Sequence, residues 1–163
     1  MAITTFQGPV RSLGGFISQG PNAMVEVSAA TATLSVAAYA GKIIKISAAT
    51  TTITLPAVNA SSNPASSGPG QDPNTSNNLS AQYTFFLPTA ATTVKIITGT
   101  GDFLLGSVTL ATSAGAANSY VADGSATRSL NLNGTTTGGI AGSYFTIVAV
   151  SANTYLVQGE LIG

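Results

Sequence analysis

The sequence predicts an all-β fold: an antiparallel β-sandwich or barrel-like domain with an extended N-terminal arm and a long inserted loop. Three observations predict it. Twenty-three Thr and eighteen Ser stand where a surface usually carries charge, since only five basic and five acidic residues occur in 163. Thr, Val and Ile favour strands because a branched Cβ suits the pleated backbone. Short apolar or alternating runs recur with turn residues between them, at the spacing of about 8 to 12 residues that marks a sandwich or barrel. Leu, Ile, Val and Phe supply about a quarter of the chain, enough to build a core at this length.

Residues 1–23 form the arm. Ile3, Phe6, Val10, Leu13, Phe16 and Ile17 follow neither period 2 nor period 3.6, and Gly8-Pro9, Gly14-Gly15 and Gly20-Pro21 break the run. Such a segment has too little local pairing to hold itself, so Phe6 and Phe16 need a surface to pack on. Residues 24–163 form the β domain. Strands are expected at 24–27, 31–38, 42–47 and 51–55, where Ile53 and Leu55 face one way and Thr52 and Thr54 the other. In the Ala-rich stretch 28–40 a helix competes, but the alternation of Thr31, Thr33 and Ser35 with Ala32, Leu34 and Val36 favours a strand. Residues 59–80 hold three Pro, Gly68, Gly70 and several Asn and read as a loop of unusual length. Further strands are expected at 82–87, 92–97, 103–110, 120–122, 127–132, 143–150 and 154–161. Asn133-Gly134 is a tight-turn signal. In the last strand Tyr155, Val157 and Leu161 share one face.

His, Cys and Trp are absent, which removes the usual general base, the thiol nucleophile and the ordinary zinc ligands. The acids Glu26, Asp72, Asp102, Asp123 and Glu160 are isolated in sequence, and a glycosidase would need two of them to converge on a sugar. Asp123-Gly124-Ser125 and Gly99-Thr-Gly101-Asp102 read as turns. Asp72, Asn74, Ser76 and Asn78 alternate as calcium ligands would. Asn77 and Tyr83 stand where the hand-shaped loop has Gly and Glu, so no metal is expected. Asn59, Asn74, Asn78 and Asn133 match the glycosylation acceptor pattern, which an Asn-, Ser- and Thr-rich chain produces by chance. Lys42 and Lys45 are expected to protect a strand edge. Zero net charge and a pI near 6.0 give no bias toward nucleic acid or an acidic membrane. No cofactor is implied, and neither a spanning segment nor an export signal is expected.

Three stretches resemble small virion proteins of tailed bacteriophages, especially phages of cyanobacteria and other marine bacteria. They are Thr5-Phe-Gln-Gly-Pro-Val-Arg-Ser-Leu-Gly-Gly-Phe16, the pair Ile53-Thr-Leu-Pro56 with Tyr83-Thr-Phe-Phe-Leu87, and Leu130-Asn-Leu-Asn-Gly-Thr-Thr-Thr-Gly-Gly-Ile-Ala-Gly-Ser-Tyr144. With the closing Tyr155-Leu-Val-Gln-Gly159 they span nearly the whole domain, and 133–139 is the most specific motif. The resemblance implies a capsid decoration (cement) protein without enzymatic activity: a homotrimer on the outside of the head, in the virion, with the major capsid protein as partner. Phe6, Arg11 and Phe16 of the arm are the expected capsid contacts. The linker 59–80 is longer than that group usually has, and Ser143 and Tyr155 replace an Asp and a Trp common there. A tail- or fibre-associated module that binds host surface carbohydrate is the alternative.

Overall fold

A computed structural model describes residues 24–60, 78–112, 115 and 117–163. The arm at 1–23 and the loop interior at 61–77 lie outside the described residues. The rest is nearly all-β: Met24–Val27 (β1), Thr31–Thr33 (β2), Ile43–Ile46 (β3), Thr50–Thr54 (β4), Gln82–Phe86 (β5), Thr93–Ile97 (β6), Phe103–Ala111 (β7), Ala117–Asp123 (β8), Ser129–Leu132 (β9), Tyr144–Ser151 (β10) and Thr154–Ile162 (β11). One short helix, Val36–Tyr39 (α1), interrupts them. Seven strands form a large sheet in the order β1-β3-β5-β10-β11-β7-β8, and four form a small one in the order β2-β4-β6-β9.

The expected antiparallel arrangement is wrong for half of the molecule. From β1 to β6 the chain alternates between the sheets, so β1, β3 and β5 lie parallel in one while β2, β4 and β6 lie parallel in the other. The cause is the short Ser-Ala-Ala connectors at 28–30 and 47–49. They look like hairpin turns in sequence, but each carries the chain across to the opposite sheet, so its next neighbour in the same sheet runs the same way. Successive connectors stack: Ser47 N donates to Val27 O at 3.1 Å, Thr51 Oγ1 to Ala29 O at 2.8 Å and Thr93 N to Ala49 O at 3.0 Å.

A sequence repeat underlies this stacking. Val-Glu-Val-Ser-Ala-Ala-Thr-Ala-Thr-Leu at 25–34 recurs as Ile-Lys-Ile-Ser-Ala-Ala-Thr-Thr-Thr-Ile at 44–53. The large sheet pairs Val25 with Ile44, the same nineteen-residue offset. The small sheet pairs Thr31 with Thr52, two residues further on. A slip of two keeps every inward side chain inward, whereas a slip of one would turn them all outward.

The strand expected over 31–38 stops at Thr33. Leu34 is still buried, but Ser35 then caps α1, its Oγ accepting from Ala38 N at 3.3 Å. That side-chain bond offers the backbone a helical alternative that Ala37 and Ala38 readily follow. Lys42 and Lys45 do not guard an edge either, because β3 lies between β1 and β5. Lys45 instead pairs with Glu26 on the neighbouring strand, Nζ to Oε1 at 3.5 Å. Asn133-Gly134 makes no two-residue hairpin: β9 pairs with β6, and the chain returns as β10 in the other sheet. Finally, the strand expected at 120–122 extends over all of β8.

One core draws on both sheets. Phe85 and Phe145 are register partners and stack with centroids 5.1 Å apart; Tyr83 meets Tyr155 edge-on at 6.4 Å. All four rings are fully buried. Each contributes about 1.5–3 kcal/mol through burial, and a ring pair adds about 0.5–1.5. Gly159 faces Phe145 at a φ of 146°, and a Cβ there would lie 2.5 Å from the Phe145 Cα. Only glycine lets β11 approach that ring so closely.

Candidate interaction site

The sequence-predicted contacts Phe6, Arg11 and Phe16 lie outside the described residues, as does Asp72. Glu26 and Asp123 serve local structure. Glu26 on β1 is held below the usual carboxylate range by Ser47 and Lys45. Asp123 ends β8 and closes the following turn, accepting from Ser125 N and Ala126 N at 2.9 Å and from Ser125 Oγ at 3.0 Å. Those donors hold its carboxyl far below the ordinary value. Glu160 lies on β11 opposite Tyr144. Glu26 and Asp123 thus sit on opposite edge strands of the large sheet, with Glu160 between them. Among the described residues no three acids gather as a metal-binding group, and no helix is long and apolar enough to cross a membrane.

Asp102 is different. It is 1% exposed, and burial raises its pKa against the opposing pull of the Val58 N–H and Arg128. It belongs to a clamp at the base of the 59–80 loop. Asp102 Oδ2 accepts from Val58 N at 2.8 Å, and the Tyr155 hydroxyl donates to Pro56 O at 2.7 Å. Asn78 donates from Nδ2 to Ala57 O at 2.9 Å and accepts from Asn59 N at 2.8 Å, while its own N–H donates to Asn59 O. Gly99 leaves room for this, since a Cβ there would meet Ala57 Cα at 2.6 Å. The two feet of the loop are therefore joined side by side by buried polar groups. Sequence reading placed Asp102 only in a turn and Asn78 only in a loop; both are buried anchors.

The motif at 133–139 forms a compact knot. Asn133 Oδ1 accepts from Thr135 N at 3.0 Å and Thr137 N at 2.9 Å, and its Nδ2 donates to Thr136 Oγ1 at 2.8 Å. Tyr120 on β8 reaches over to donate to Thr136 O at 2.6 Å. Ser143 is fully buried and accepts from Ile162 N at 2.9 Å.

Two outer surfaces remain. The large sheet exposes Met24, Leu105, Val121, Tyr144 and Val150. The small sheet turns hydroxyls outward, with Thr31 beside Thr52, Thr33 beside Thr54 and Thr50 beside Thr93, then Lys95 beside Asn131. Lys95 and Arg128 line one shallow concavity with Thr54, Thr100 and Ser129. Periodicity could have placed this Thr face, because alternate residues of 31–33 and 50–54 are Thr. Set against models of known protein families, curated proteins and solved structures, the chain matches none of them.

Proposed function

We propose that the chain is a structural virion protein: a capsid decoration or cement protein of a tailed bacteriophage, held as a homotrimer on the outer surface of the head against the major capsid protein, without catalysis or cofactor. The observation that carries this reading is the resemblance at 130–144, whose most specific segment forms the Asn133 knot that β8 reaches through Tyr120. A cement protein needs a rigid body, broad surfaces and no reactive group. Two sheets on one core, which we read as a sandwich, would supply the body. Thr and Ala surfaces cost little to desolvate when they meet a lattice, and several copies acting together multiply weak contacts. The arm at 1–23 would then lie across neighbouring subunits, with Phe6, Arg11 and Phe16 as contacts. A density map of the intact virion, with the sedimentation mass of the purified chain, tests this. Three-fold clusters on the head are expected; density confined to the tail or fibres, or a monomeric mass, would overturn it.

A further inference from the structure

The large sheet has three more strands than the small one, and β9 ends the small sheet with no strand beyond it among the described residues. There the inner surface of the large sheet opens into an apolar cavity of about 250 Å³, lined by Leu104, Val108, Ala122, Leu130, Val157 and Leu161. On the outer face of the small sheet, Lys95 of the neighbouring β6 and Arg128, the residue before β9, line the shallow concavity with Thr54 of β4. Arg128 is held in place, its guanidinium 4.6 Å from the centroid of the Phe103 ring and its carbonyl accepting from Thr98 N at 3.0 Å. Among the described residues no acid lines that concavity, and the one carboxylate near enough to act on Arg128, Asp102, is buried. The free edge of β9 thus has an apolar slot on its inner side, with Arg128 at its start and Lys95 one strand away on the outer side.

We infer that β9 is a docking edge for an extended polypeptide from a partner protein, carrying carboxylates on one face and apolar side chains on the other. An added strand gains main-chain hydrogen bonds from an unpaired edge, and its alternating side chains are read on opposite faces. Outward carboxylates meet Lys95 and Arg128, and a guanidinium favours them through charge-assisted, two-pronged bonds. Inward residues enter the cavity. Tyr120 crosses to Thr136 at one end, so the site takes a segment about as long as the four-residue β9. Neither undescribed stretch of this chain fits: 1–23 has no acid and carries Arg11, and 61–77 has only Asp72 and no apolar residue larger than Ala or Pro. Bare hydroxyls and no stacking ring in the concavity favour a polypeptide over a sugar.

The inference does not depend on the virion reading, and its test needs no capsid. Isotope-labelled protein is titrated with a capped peptide of alternating Glu and Val, followed by amide shifts. Shifts are expected at Arg128 to Leu132 and at Ala122, weakening with salt. The double variant K95E/R128E should lower affinity at least tenfold, and a control peptide of alternating Lys and Val should not bind. Filling the slot with Ala122→Phe should weaken binding too; because that variant places bulk in the core, the surface pair is decisive. Unchanged affinity of K95E/R128E, shifts confined to β1 or β8, self-association through β9 that excludes the peptide, or a uronic-acid oligosaccharide shifting Lys95 and Arg128 where the peptide does not, would each overturn it.

Discussion

Tyr83 and Tyr155 sit together in the core, and their hydroxyls have opposite consequences. The Tyr155 hydroxyl satisfies the Pro56 carbonyl, while the Tyr83 hydroxyl is buried with no hydrogen-bond partner among the described residues. Burial pushes the Tyr83 pKa up to about 12 and that of Tyr155 higher still, with help from Tyr83 and Asp102. Tyr155→Phe leaves a carbonyl orphaned and should cost about 1–3 kcal/mol in denaturant unfolding, whereas Tyr83→Phe removes an unpaid polar burial and should be neutral or stabilising. Equal losses in the two variants would mean that the Tyr83 hydroxyl has a partner. The acids give a second contrast. Asp102 has a folded pKa above its ordinary 3.8, so its contribution is fully present below that value and is lost as pH rises through the folded pKa. Asn at 102 can still accept from Val58 without a buried charge, so Asp102→Asn should match or exceed wild-type stability at pH 7, with the difference shrinking in acid. Asp123 has the opposite sign: its folded pKa lies below 3.8, so its contribution is present above that value and lost as pH falls. Asp123→Asn should therefore destabilise at pH 7 and converge on wild type in acid. Thermal unfolding across pH 2.5 to 7, a range of roughly the carboxylate titration region, checks both signs.

At the scale of elements, most strands were legible and their partners were not. Ile53 and Leu55 inward with Thr52 and Thr54 outward follows from period 2, and burial agrees. The pairing depends on whether Ser-Ala-Ala folds back or crosses over, and three small residues permit either. The 25–34 and 44–53 repeat bears on this, because like segments can pair in register, as β1 does with β3. The site was less legible, since Asp102, Asn78 and Arg128 gain their roles from residues twenty to forty-odd positions away. The loop shows the consequence. Sequence composition reads all of 59–80 as one long loop, but Asn59 and Asn78 belong to the clamp and Ser80 N donates to Ala149 O at 2.8 Å. Replacing only 60–77 by a four-residue turn should preserve thermal stability and oligomer mass, because closing a shorter loop between feet already bonded saves entropy, about 0.6 kcal/mol per halving of length. Asn78→Ala should cost about 1–3 kcal/mol for each buried backbone group it strands, with or without the loop. A collapse of the shortened chain that keeps Asn78 would show that 60–77 packs structurally.

For the molecule as a whole, the proposed division of labour assigns association to the β domain and much of the capsid attachment to the arm. Among the described residues the domain's pairing begins at Met24 against Ile43, so β1 has its own ladder to β3 in the large sheet. Among the described residues Val27 is the first buried side chain of the core. The arm nevertheless carries Phe6, Val10, Leu13, Phe16 and Ile17, and burying two Phe would contribute about 3–6 kcal/mol before ordering costs. Fixing the backbone of each residue costs about 1–2 kcal/mol, so one arm alone gives little net affinity. Arms joined in one oligomer act at high effective concentration and give much more. A chain starting at Met24 should therefore fold with unchanged thermal stability and sediment as the same oligomer, yet co-sediment with emptied capsids at least tenfold more weakly. Phe16→Ala and Arg11→Ala should give partial losses. The β9 edge separates from this by its variants: K95E/R128E leaves the arm untouched, so capsid binding that survives it but not truncation locates attachment in the arm. A truncated chain that binds as tightly as the full one, or that falls to monomers, would reverse the assignment and make the arm an assembly element or a bystander.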